Sequence, residues 1–401
     1  MGLNDTPRAN RVHIGIFGRR NAGKSSVINA ITGQDIAIVS NVPGTTTDPV
    51  YKSMELLPMG PVMIIDTPGI DDEGALGELR VRKAKRVLNK ADVAVLVVDA
   101  VLGQTQADRE LLRLFESKGI PHIVAWNKCD LLAETQPAKA SEIYISARDG
   151  VNIGPLKERI AALAATEEPK HRIVGDLIGP SDFVVLVTPI DKAAPKGRLI
   201  LPQQQTIRDI LESDAVAIVV KEHELRETLE GLHKKPRLVI TDSQVFAKVS
   251  ADVPGDIPLT SFSILFARYK GLLDAAIQGA AALDALQDGD VVLICEGCTH
   301  HRQCDDIGTV KIPRWIRNHT GRRLEFAFTS GSEFPEDLGK YRLIIHCGGC
   351  MLNEREVKYR QQCALDQQVP ITNYGIVIAA MQGILKRSIA VFPHLQARLG
   401  G

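Results

Sequence analysis

The stretch that most constrains this chain is GRRNAGKS, residues 18–25. It has the form G-x-x-x-x-G-K-S, follows the apolar run 13–17 directly, and precedes a helical pattern over 24–32 with Gly33 as its expected end. In such a loop backbone N–H groups close around phosphates, the lysine reaches the β and γ oxygens, and the serine ligates Mg²⁺. The motif therefore predicts a strand, a phosphate loop and a helix. The residues assigned to the phosphates are Gly18, Asn21, Ala22, Gly23, Lys24, Ser25 and Ser26.

Apolar β-rich runs alternate with helical periodicity along the rest of the chain. The other strand candidates are 62–66, 93–99, 122–127, 142–147, 183–190, 215–220, 237–242, 290–296, 324–331 and 341–347. Near-continuous apolar strands separated by helices indicate parallel sheets that are covered on both faces. The predicted fold class is α/β, with a P-loop nucleotide-binding domain followed by two further α/β domains with mainly parallel sheets.

The alternation falls into three series, which predict three domains. A nucleotide-binding domain is expected over 1–168, a middle domain over 176–262 and a C-terminal domain over 268–401. The polar stretch ATEEPKHRIVGD, residues 165–176, is typical of a linker. An Ala-rich helix is expected over 272–286.

The motif NKCD, residues 127–130, indicates which base the nucleotide carries. It lies at the end of a predicted strand. Asp130 can accept hydrogen bonds from the N1 and N2 groups of guanine, Asn127 assists, and the stem of Lys128 covers the base.

A second short motif, SAR at 146–148, adds to the base site. It brings Ser146 and offers the backbone N–H of Ala147 to guanine O6. Adenine would leave the Asp130 carboxylate facing no donor. Because a site built on such hydrogen bonds can reject the wrong analogue by about 10⁴-fold or more, the predicted nucleotide is GTP.

Two further loops are expected to surround the γ-phosphate. DTPG, residues 66–69, follows a predicted strand. Asp66 would hold Mg²⁺ through water, and the N–H of Gly69 would meet the γ-phosphate. The loop VPGTTTDP, residues 42–49, supplies a threonine that closes on Mg²⁺ only when the γ-phosphate is present.

Charge and hydropathy narrow the expected partners. Lys plus Arg and Asp plus Glu both number 48, so the formal net charge is zero. This balance argues against a nucleic-acid partner held by a broad basic surface. No apolar run reaches 18 residues and the first residues lack an apolar signal region, so we expect no membrane partner and a cytoplasmic protein.

Six of the seven cysteines lie at or after residue 295. This clustering and the odd number indicate a reducing compartment and a metal site instead of a disulfide framework. ICEGCTHHRQC at 294–304 and HCGGC at 346–350 both follow predicted strands, where open α/β sheets place ligand sites. The candidate ligands are Cys295, Cys298, His300, His301, Cys304, Asp305, His346, Cys347 and Cys350.

Three interpretations of these ligands stay open on the residues alone. A zinc site would use the C-x-x-C pairs that begin at Cys295 and Cys347, although their interval far exceeds the 15–20 residues of a zinc ribbon and Cys295 continues a buried strand. A [4Fe–4S] cluster would use Cys298, Cys347 and Cys350 with a less certain fourth ligand, and the paired glycines would leave one face approachable. The third interpretation is that no metal binds.

The order of the motifs resembles known families. Over residues 10–165 the four nucleotide motifs resemble the TrmE–Era group of small GTPases. C-x-H at 298–300 and H-C-x-x-C at 346–350, downstream of such a domain, resemble the [FeFe]-hydrogenase maturation GTPase (HydF) family. The opening GLNDTPRANR and the stretch CDDIGTVKIPRW at 304–315 are also similar to that family.

The resemblance implies ligands for a cluster. Cys298, Cys347 and Cys350 would hold a [4Fe–4S] cluster, and the fourth iron would have a variable ligand. The candidates for that position are His300, His346, Asp305 and Cys304.

The resemblance also implies residues for GTP hydrolysis. Thr46 is chosen among 45–47 because Asp48 matches the T-x-D end of this loop in related proteins. Ile70 stands where Ras-like proteins carry the glutamine that orients water, and Asn21 matches the residue that helps to hold K⁺ in potassium-dependent members. We therefore expect slow, Mg²⁺-dependent, K⁺-stimulated hydrolysis. The residues given catalytic roles are Lys24, Thr46, Asp66, Gly69 and Asn21, and those on Mg²⁺ are Ser25 and Thr46.

The family resemblance implies a GTP-hydrolysing scaffold and carrier. It would bind a [4Fe–4S] cluster, carry a diiron subcluster precursor built with two radical-SAM maturases, and deliver this precursor to the apo-hydrogenase. The middle domain has no candidate site residues and would make a homodimer. The alternative is a TrmE/Era-like tRNA- or ribosome-associated GTPase with a structural zinc site, but that protein would need a basic RNA-binding appendage.

Overall fold

The chain divides into two units, Met1–Pro169 and Lys170–Gly401. The structure is a computed structural model. It describes residues 6–34, 49–69, 84, 86–134, 137–165, 172–189, 199–297, 306–331, 333–392 and 395.

The first unit is built on a six-stranded sheet. Its strands are β1 (Val12–Phe17), β2 (Val50–Leu56), β3 (Gly60–Asp66), β4 (Val93–Asp99), β5 (His122–Asn127) and β6 (Glu142–Tyr144). They lie in the order β2-β3-β1-β4-β5-β6. Only β2 runs antiparallel to its neighbour, and the other pairs are parallel. The bounds predicted for β4 and β5 are confirmed, whereas the strand predicted over 142–147 stops at Tyr144.

Three helices of the first unit have defined ends. They are α1 (Lys24–Thr32), α2 (Gln106–Ser117) and α3 (Ile153–Ala165). Gly33 ends α1 in the left-handed conformation (φ 66°) and donates its N–H to Asn29 O, as its position predicted. Thr105 and Asp108 begin α2 with reciprocal side-chain to backbone hydrogen bonds, the capping-box arrangement.

The first sheet is covered on both faces. Along β4, Val93, Val95 and Val97 pack on one side, whereas Ala94, Leu96 and Val98 pack on the other. All seven β4 residues are buried. This is why the strand reads as an unbroken apolar run instead of an alternating one.

The second unit contains two four-stranded sheets, in which all pairs are parallel. The first sheet has the order β10-β9-β7-β8 and the second β12-β11-β13-β14. Their strands are β7 (Phe183–Val187), β8 (Val216–Val220), β9 (Leu238–Thr241), β10 (Leu259–Ser261), β11 (Val291–Glu296), β12 (Glu325–Ser330), β13 (Leu343–His346) and β14 (Ile371–Asn373). The predicted α/β fold class with mainly parallel sheets is confirmed.

Nine helices pack against these two sheets within the part of the second unit that the structure describes. They are α4 (Leu201–Leu211), α5 (Leu225–Gly231), α6 (Phe246–Asp252), α7 (Phe262–Tyr269), α8 (Leu273–Ala280), α9 (Ile312–Thr320), α10 (Glu354–Asp366), α11 (Tyr374–Met381) and α12 (Leu385–Ser388). None of the described helices is long and apolar enough to cross a membrane.

The two sheets of the second unit share one hydrophobic core. Leu186 and Ile240 of the first sheet belong to the same buried cluster as Leu293 and Ile344 of the second. Arg387 also joins the two parts, because its guanidinium donates to Ser250 O (2.7 Å) and Val253 O (2.8 Å). The separation of this unit into domains 176–262 and 268–401 stays a prediction.

The Ala-rich segment folds differently from the prediction. A helix over 272–286 was expected, but α8 ends at Ala280 and a 3₁₀ turn follows over Ala281–Leu283. Ile277 packs into the core that the two sheets share, whereas Leu283 and Leu286 pack into a separate core on the other face of the second sheet. Tertiary packing therefore overrides the helix propensity of alanine.

Gly279 of α8 lies against the backbone of β14, and this contact gives a test of the packing. A Cβ at Gly279 would lie 2.1 Å from Ile371 O. We expect Gly279→Ala to lower the free energy of unfolding by about 1–3 kcal/mol through overpacking, although alanine is the better helix former. Urea unfolding followed by circular dichroism measures this change.

The matched control for this test is Gly231→Ala at the end of α5. A Cβ at Gly231 would meet no atom within 4 Å. This substitution should leave stability unchanged or raise it by up to about 1 kcal/mol. Equal effects at the two glycines would contradict the packing argument.

Candidate functional site

The phosphate loop connects β1 to α1 and depends on three residues with positive φ. Gly18 (φ 138°), Asn21 (φ 61°) and Gly23 (φ 90°) all adopt this geometry. A Cβ at Gly18 would lie 2.3 Å from Val97 O, and one at Gly23 would lie 2.3 Å from Asn127 Nδ2. The two glycines are therefore required both by backbone conformation and by close contacts with the neighbouring strands.

Lys24 lies at the first turn of α1 and reaches back into the loop. Its ammonium donates to Gly18 O (3.0 Å) and Arg19 O (2.9 Å). Ser25 and Ser26 follow it and are half-buried. The positive charge and the N-terminus of the helix both favour an anion at this place.

Asp66 and Gly69 approach the loop from the end of β3. Burial raises the pKa of Asp66, and the charge of Lys24 acts in the opposite direction. Asp66 Oδ1 is buried and has no hydrogen-bond partner among the residues that the structure describes. A Cβ at Gly69 would lie 2.8 Å from Arg20 N, so this segment packs directly on the phosphate loop.

Asn127 joins the phosphate loop to the SAR motif. Its Nδ2 donates to Ala22 O (3.0 Å), and its Oδ1 accepts from the N–H of Ala147 (3.1 Å). The sequence predicted that this N–H would meet guanine O6, whereas here it donates to Asn127. Ser146 is fully buried, and its Oγ accepts from the N–H of Asp149 (3.1 Å).

Asp99 is a site residue that the sequence analysis missed. Lys128 has a positive φ of 67° and donates from Nζ to Asp99 Oδ2 at 2.7 Å. Asp99 Oδ1 accepts from the N–H groups of Val101 and Leu102. Burial raises the pKa of Asp99, but the hydrogen bond from Lys128 and those backbone donors outweigh burial, and the pKa lies below its usual value. Asp99 thus holds the lysine stem that was predicted to cover the base.

A cavity of about 640 Å³ opens beside these residues. It is lined by Gly23, Asn29, Asn127, Lys128, Asp130 and Ala147, among others. A cavity of this volume is within the range of small-molecule sites. The structure therefore brings the predicted phosphate and base residues to one place.

The ion pair between Asp99 and Lys128 gives a test of the base site. We expect Asp99→Asn to weaken GDP and GTP binding by about tenfold, because a hydrogen bond between charged groups contributes about 1.5 kcal/mol or more. Titration with a fluorescent guanine nucleotide measures this change. The control is Asp252→Asn, which removes a surface ion pair with Arg226 in the second unit. Equal affinities of the two variants would contradict the role of Asp99.

The cysteine motifs meet at the carboxyl edge of the second sheet in the second unit. β11 and β13 are parallel neighbours, with Cys295 opposite His346. The N–H of Cys347 donates to Cys295 O at 2.9 Å and continues this pairing beyond β13. The HCGGC loop therefore starts beside the end of β11, where the other cysteine motif begins.

The sulfur of Cys347 accepts two backbone hydrogen bonds. The donors are the N–H groups of Gly297 (3.0 Å) and Gly349 (3.4 Å). A Cβ at Gly297 would lie 2.8 Å from Leu352 Cγ, and Gly349 has φ 65°, so both positions favour glycine. Gly297 therefore lies beside the Cys347 sulfur, and it directly precedes Cys298 in the sequence.

The other described cysteines differ in their surroundings. Cys295 is fully buried in the core, as its place in the strand predicted, and burial raises its pKa to about 12. Cys350 is half-buried at the end of the loop. Burial raises the pKa of Cys350 to about 12, with Lys270 acting in the opposite direction. Cys363 lies on α10 against the core, away from the loop sequence.

His346 is held at both ring nitrogens. Its Nδ1 lies 2.7 Å from Cys347 O, and its Nε2 lies 3.2 Å from Arg360 Nη1. Arg360 also donates to Gly331 O (2.7 Å) and Glu356 Oε1 (2.8 Å). Burial, and then the charge of Arg360, lower the pKa of His346 to about 3, so the ring is neutral.

Two more residues near the cysteines were missed by the sequence analysis. Tyr374, the first residue of α11, donates to Glu296 Oε1 (3.2 Å) just before Gly297. A Cβ at Gly308 would lie 2.3 Å from both of these side chains. Tyr374 and Glu296 lie far apart in the sequence and belong to no motif that could have identified them.

Several predicted site residues lie outside the described part of the chain. They are Thr46, Ile70, Cys298, His300, His301, Cys304 and Asp305. Among the residues that are described, no group of three or more His, Cys, Asp or Glu side chains could hold a metal ion. The predicted ligand set depends on Cys298 to complete it.

The first unit has the fold and the motif arrangement of a P-loop GTPase domain. Residues 13–128 match the family model described as 50S ribosome-binding GTPase. Residues 173–271 match the Hydrogen maturase F dimerization domain, and residues 274–391 match the Hydrogen maturase F tetramerization domain. These last two models together span more than half of the chain. The chain belongs to the hydrogen maturase F (HydF) family, and the predicted family is confirmed.

The curated relatives match mainly the GTPase part. The tRNA modification GTPase MnmE of Bordetella petrii is 32% identical over 154 residues, which cover 38% of this chain and 34% of the relative. GTPase Der of Kosmotoga olearia is 30% identical over 207 residues, which cover 46% of each protein. The chain thus spans about a third to a half of the length of these relatives.

Solved GTPase structures are similar to part of the chain. A point variant of Aquifex aeolicus Era bound to GDP.AlF4⁻ is 22% identical with a TM-score of 0.35, and the match covers 54% of this chain and 97% of that one. A probable GTP-binding protein engB is 28% identical with a TM-score of 0.31, covering 39% of this chain and all of that one.

Proposed function

We propose that this chain is a GTP-hydrolysing scaffold and carrier in the maturation of [FeFe]-hydrogenase. It binds a [4Fe–4S] cluster and delivers a diiron subcluster precursor to the apo-hydrogenase. The observation that carries this proposal is the succession of a GTPase domain and two hydrogen maturase F domains in one chain. The same matches disfavour the alternative of a tRNA- or ribosome-associated GTPase with a structural zinc site.

The nucleotide site supports binding of GTP with Mg²⁺. Asp130 and Lys128 line the cavity into which guanine would fit, next to the phosphate loop. Asp66 Oδ1 is buried and has no hydrogen-bond partner among the described residues, and the charge of Lys24 acts on this carboxyl group. Asp66 therefore suits a water molecule on Mg²⁺ beside the phosphate loop. Thr46 would complete the Mg²⁺ ligands when the γ-phosphate is present.

Asn21 is proposed to hold the potassium ion that stimulates hydrolysis. It is exposed in the phosphate loop between Gly18 and Gly23 and has a positive φ of 61°. Cations near the γ-phosphate stabilise the charge that develops as the phosphoryl group is transferred. This role would substitute for the glutamine that is absent at Ile70.

Replacement of potassium by sodium tests this role. At matched ionic strength we expect GTP hydrolysis to be faster in K⁺ than in Na⁺, and we expect Asn21→Gly to lose this difference while GTP affinity stays within about threefold. Glycine removes the side chain and tolerates the positive φ. Phosphate release measured in the two salts gives the result, and equal rates for the unchanged protein would contradict a potassium site.

Two cysteines of the HCGGC loop, Cys347 and Cys350, suit a [4Fe–4S] cluster that they would hold together with Cys298. Backbone N–H groups already point at the Cys347 sulfur, as they do at the sulfurs of iron–sulfur sites. The glycines at 348 and 349 leave little bulk above the loop. When bound, the cluster supplies a redox-active iron site with one exchangeable ligand position.

The fourth ligand is proposed to come from His300, Asp305, Cys304 or His346. Of these residues the structure describes only His346, whose two ring nitrogens both have hydrogen-bond partners. To bind iron, His346 would have to release Arg360 or the Cys347 carbonyl. This geometry favours the residues of the 298–305 segment over His346.

Reconstitution with iron and sulfide under anaerobic conditions tests the cluster. We expect the absorption and EPR spectra of a [4Fe–4S] cluster, and their loss in Cys298→Ala, Cys347→Ala and Cys350→Ala. Cys295→Ala and Cys363→Ala should keep the cluster, because these thiols lie in or against the core. A colourless protein that binds one zinc ion through Cys295 would contradict this proposal.

The partners are proposed from the family. The matched domain names support a homodimer through the middle domain and further self-association through the C-terminal domain. Two radical-SAM maturases would supply the diiron precursor, and the apo-hydrogenase would receive it. We place this exchange in the cytoplasm, without a nucleic-acid or membrane partner.

A further inference from the structure

Arg360 forms a buried link between three elements next to the HCGGC loop. It lies on α10 and its side chain is only 1% exposed. Its guanidinium bonds to Glu356 one turn earlier, to Gly331 O after β12, and to His346 at the end of β13. A buried arginine needs such partners, because an unpaired charge inside a protein is strongly destabilising.

The link determines the tautomer of His346. Arginine has only donors, so His346 Nε2 must be the acceptor of the Arg360 Nη1 hydrogen bond. In a neutral imidazole the proton then lies on Nδ1, which donates to Cys347 O at 2.7 Å. Arg360 and the carbonyl of Cys347 thus select the same tautomer from opposite sides of the ring.

This tautomer helps to hold the backbone of Cys347 in the HCGGC loop. The N–H of Cys347 is bonded to Cys295 O, and its carbonyl is bonded to His346. The backbone of Cys347 is therefore held at both ends, while its sulfur receives the N–H groups of Gly297 and Gly349. The direction of the Cys347 sulfur depends on this bracing.

The same contacts oppose iron binding by His346. Use of Nε2 would remove the acceptor of Arg360 Nη1, and Arg360 Nε already has no partner among the described residues. Use of Nδ1 would release the Cys347 carbonyl and disturb a neighbouring cluster ligand. Either change would leave buried polar groups unpaired.

We propose that Arg360 is a positioning residue which, through His346, orients the Cys347 loop, and that His346 braces this loop instead of binding iron. The effect on cluster binding rests on the proposed function, whereas the hydrogen bonds that hold the loop are a property of the chain without metal. The two can therefore be tested separately.

The first experiment measures the imidazole tautomer in the metal-free full-length protein. With [¹⁵N]histidine labelling, ring ¹⁵N NMR should show one histidine, absent in His346→Asn, with a protonated Nδ1 and an unprotonated Nε2. Arg360→Met should move the Nε2 resonance of this ring, because Nε2 loses its hydrogen-bond donor while the Cys347 carbonyl still accepts from Nδ1–H. Arg387→Met, which removes another arginine bonded to backbone carbonyls in the same unit, should leave it unchanged. An Nε2–H tautomer in the unchanged protein would overturn the proposal.

The second experiment uses the reconstituted protein. His346→Asn keeps an N–H that can replace Nδ1–H, so we expect its cluster content and histidine ¹⁵N hyperfine couplings to match those of the unchanged protein. His346→Leu and Arg360→Met should lower the affinity for iron about 10- to 100-fold, the usual effect of removing an outer-shell partner, and should therefore release iron to a chelator faster, whereas Arg387→Met should not.

The outcomes distinguish this inference from the proposed function. Loss of a directly coupled histidine nitrogen in His346→Asn would show that His346 is a ligand and would overturn the inference, although the cluster itself would stand. Unchanged iron release in both His346→Leu and Arg360→Met would also overturn it. A protein that forms no [4Fe–4S] cluster in any variant would instead contradict the proposed function.

Discussion

Parallel strand pairing is the constraint on which both candidate sites depend. In a parallel sheet all carboxyl ends lie at one edge, so loops that are distant in the sequence meet there. β1, β3, β4 and β5 bring the phosphate loop, Asp66, Asp99 and the NKCD motif together in this way. β11 and β13 do the same for the two cysteine motifs, whose strands are paired with Cys295 opposite His346.

The two sites differ in how their loops are held at that edge. Close backbone contact shapes the phosphate loop, where Gly18 and Gly23 each face a neighbouring strand with no room for a side chain. A buried polar network shapes the cysteine loop, with Arg360 and His346 behind it. The first arrangement leaves N–H groups free to meet an anion, and the second directs a sulfur. Both leave the reacting groups at the rim of a rigid sheet.

Sequence reasoning succeeded where one strand or one motif carries the information. β4 and β5 were predicted with their observed bounds because each apolar run is long and ends at a polar residue. The prediction of one helix over 272–286 was wrong because helix propensity depends on local sequence, whereas the helix ends where Ile277 and Leu283 pack into different cores. Asp99 and Arg360 were missed because each acts through a partner far away in the sequence, Lys128 and His346 respectively.

The sequence by itself determined the class of nucleotide site, the parallel α/β architecture and the family, because these depend on motifs with a defined spacing and on apolar periodicity. Only the tertiary structure decided what holds the motifs in place. The tie between Lys128 and Asp99, the Asn127 bridge to Ala147, and the Arg360 contact that helps to set the tautomer of His346 join residues that lie far apart in the sequence. Such contacts leave no pattern in one sequence, since hydrogen bonding depends on position in space and not on separation along the chain.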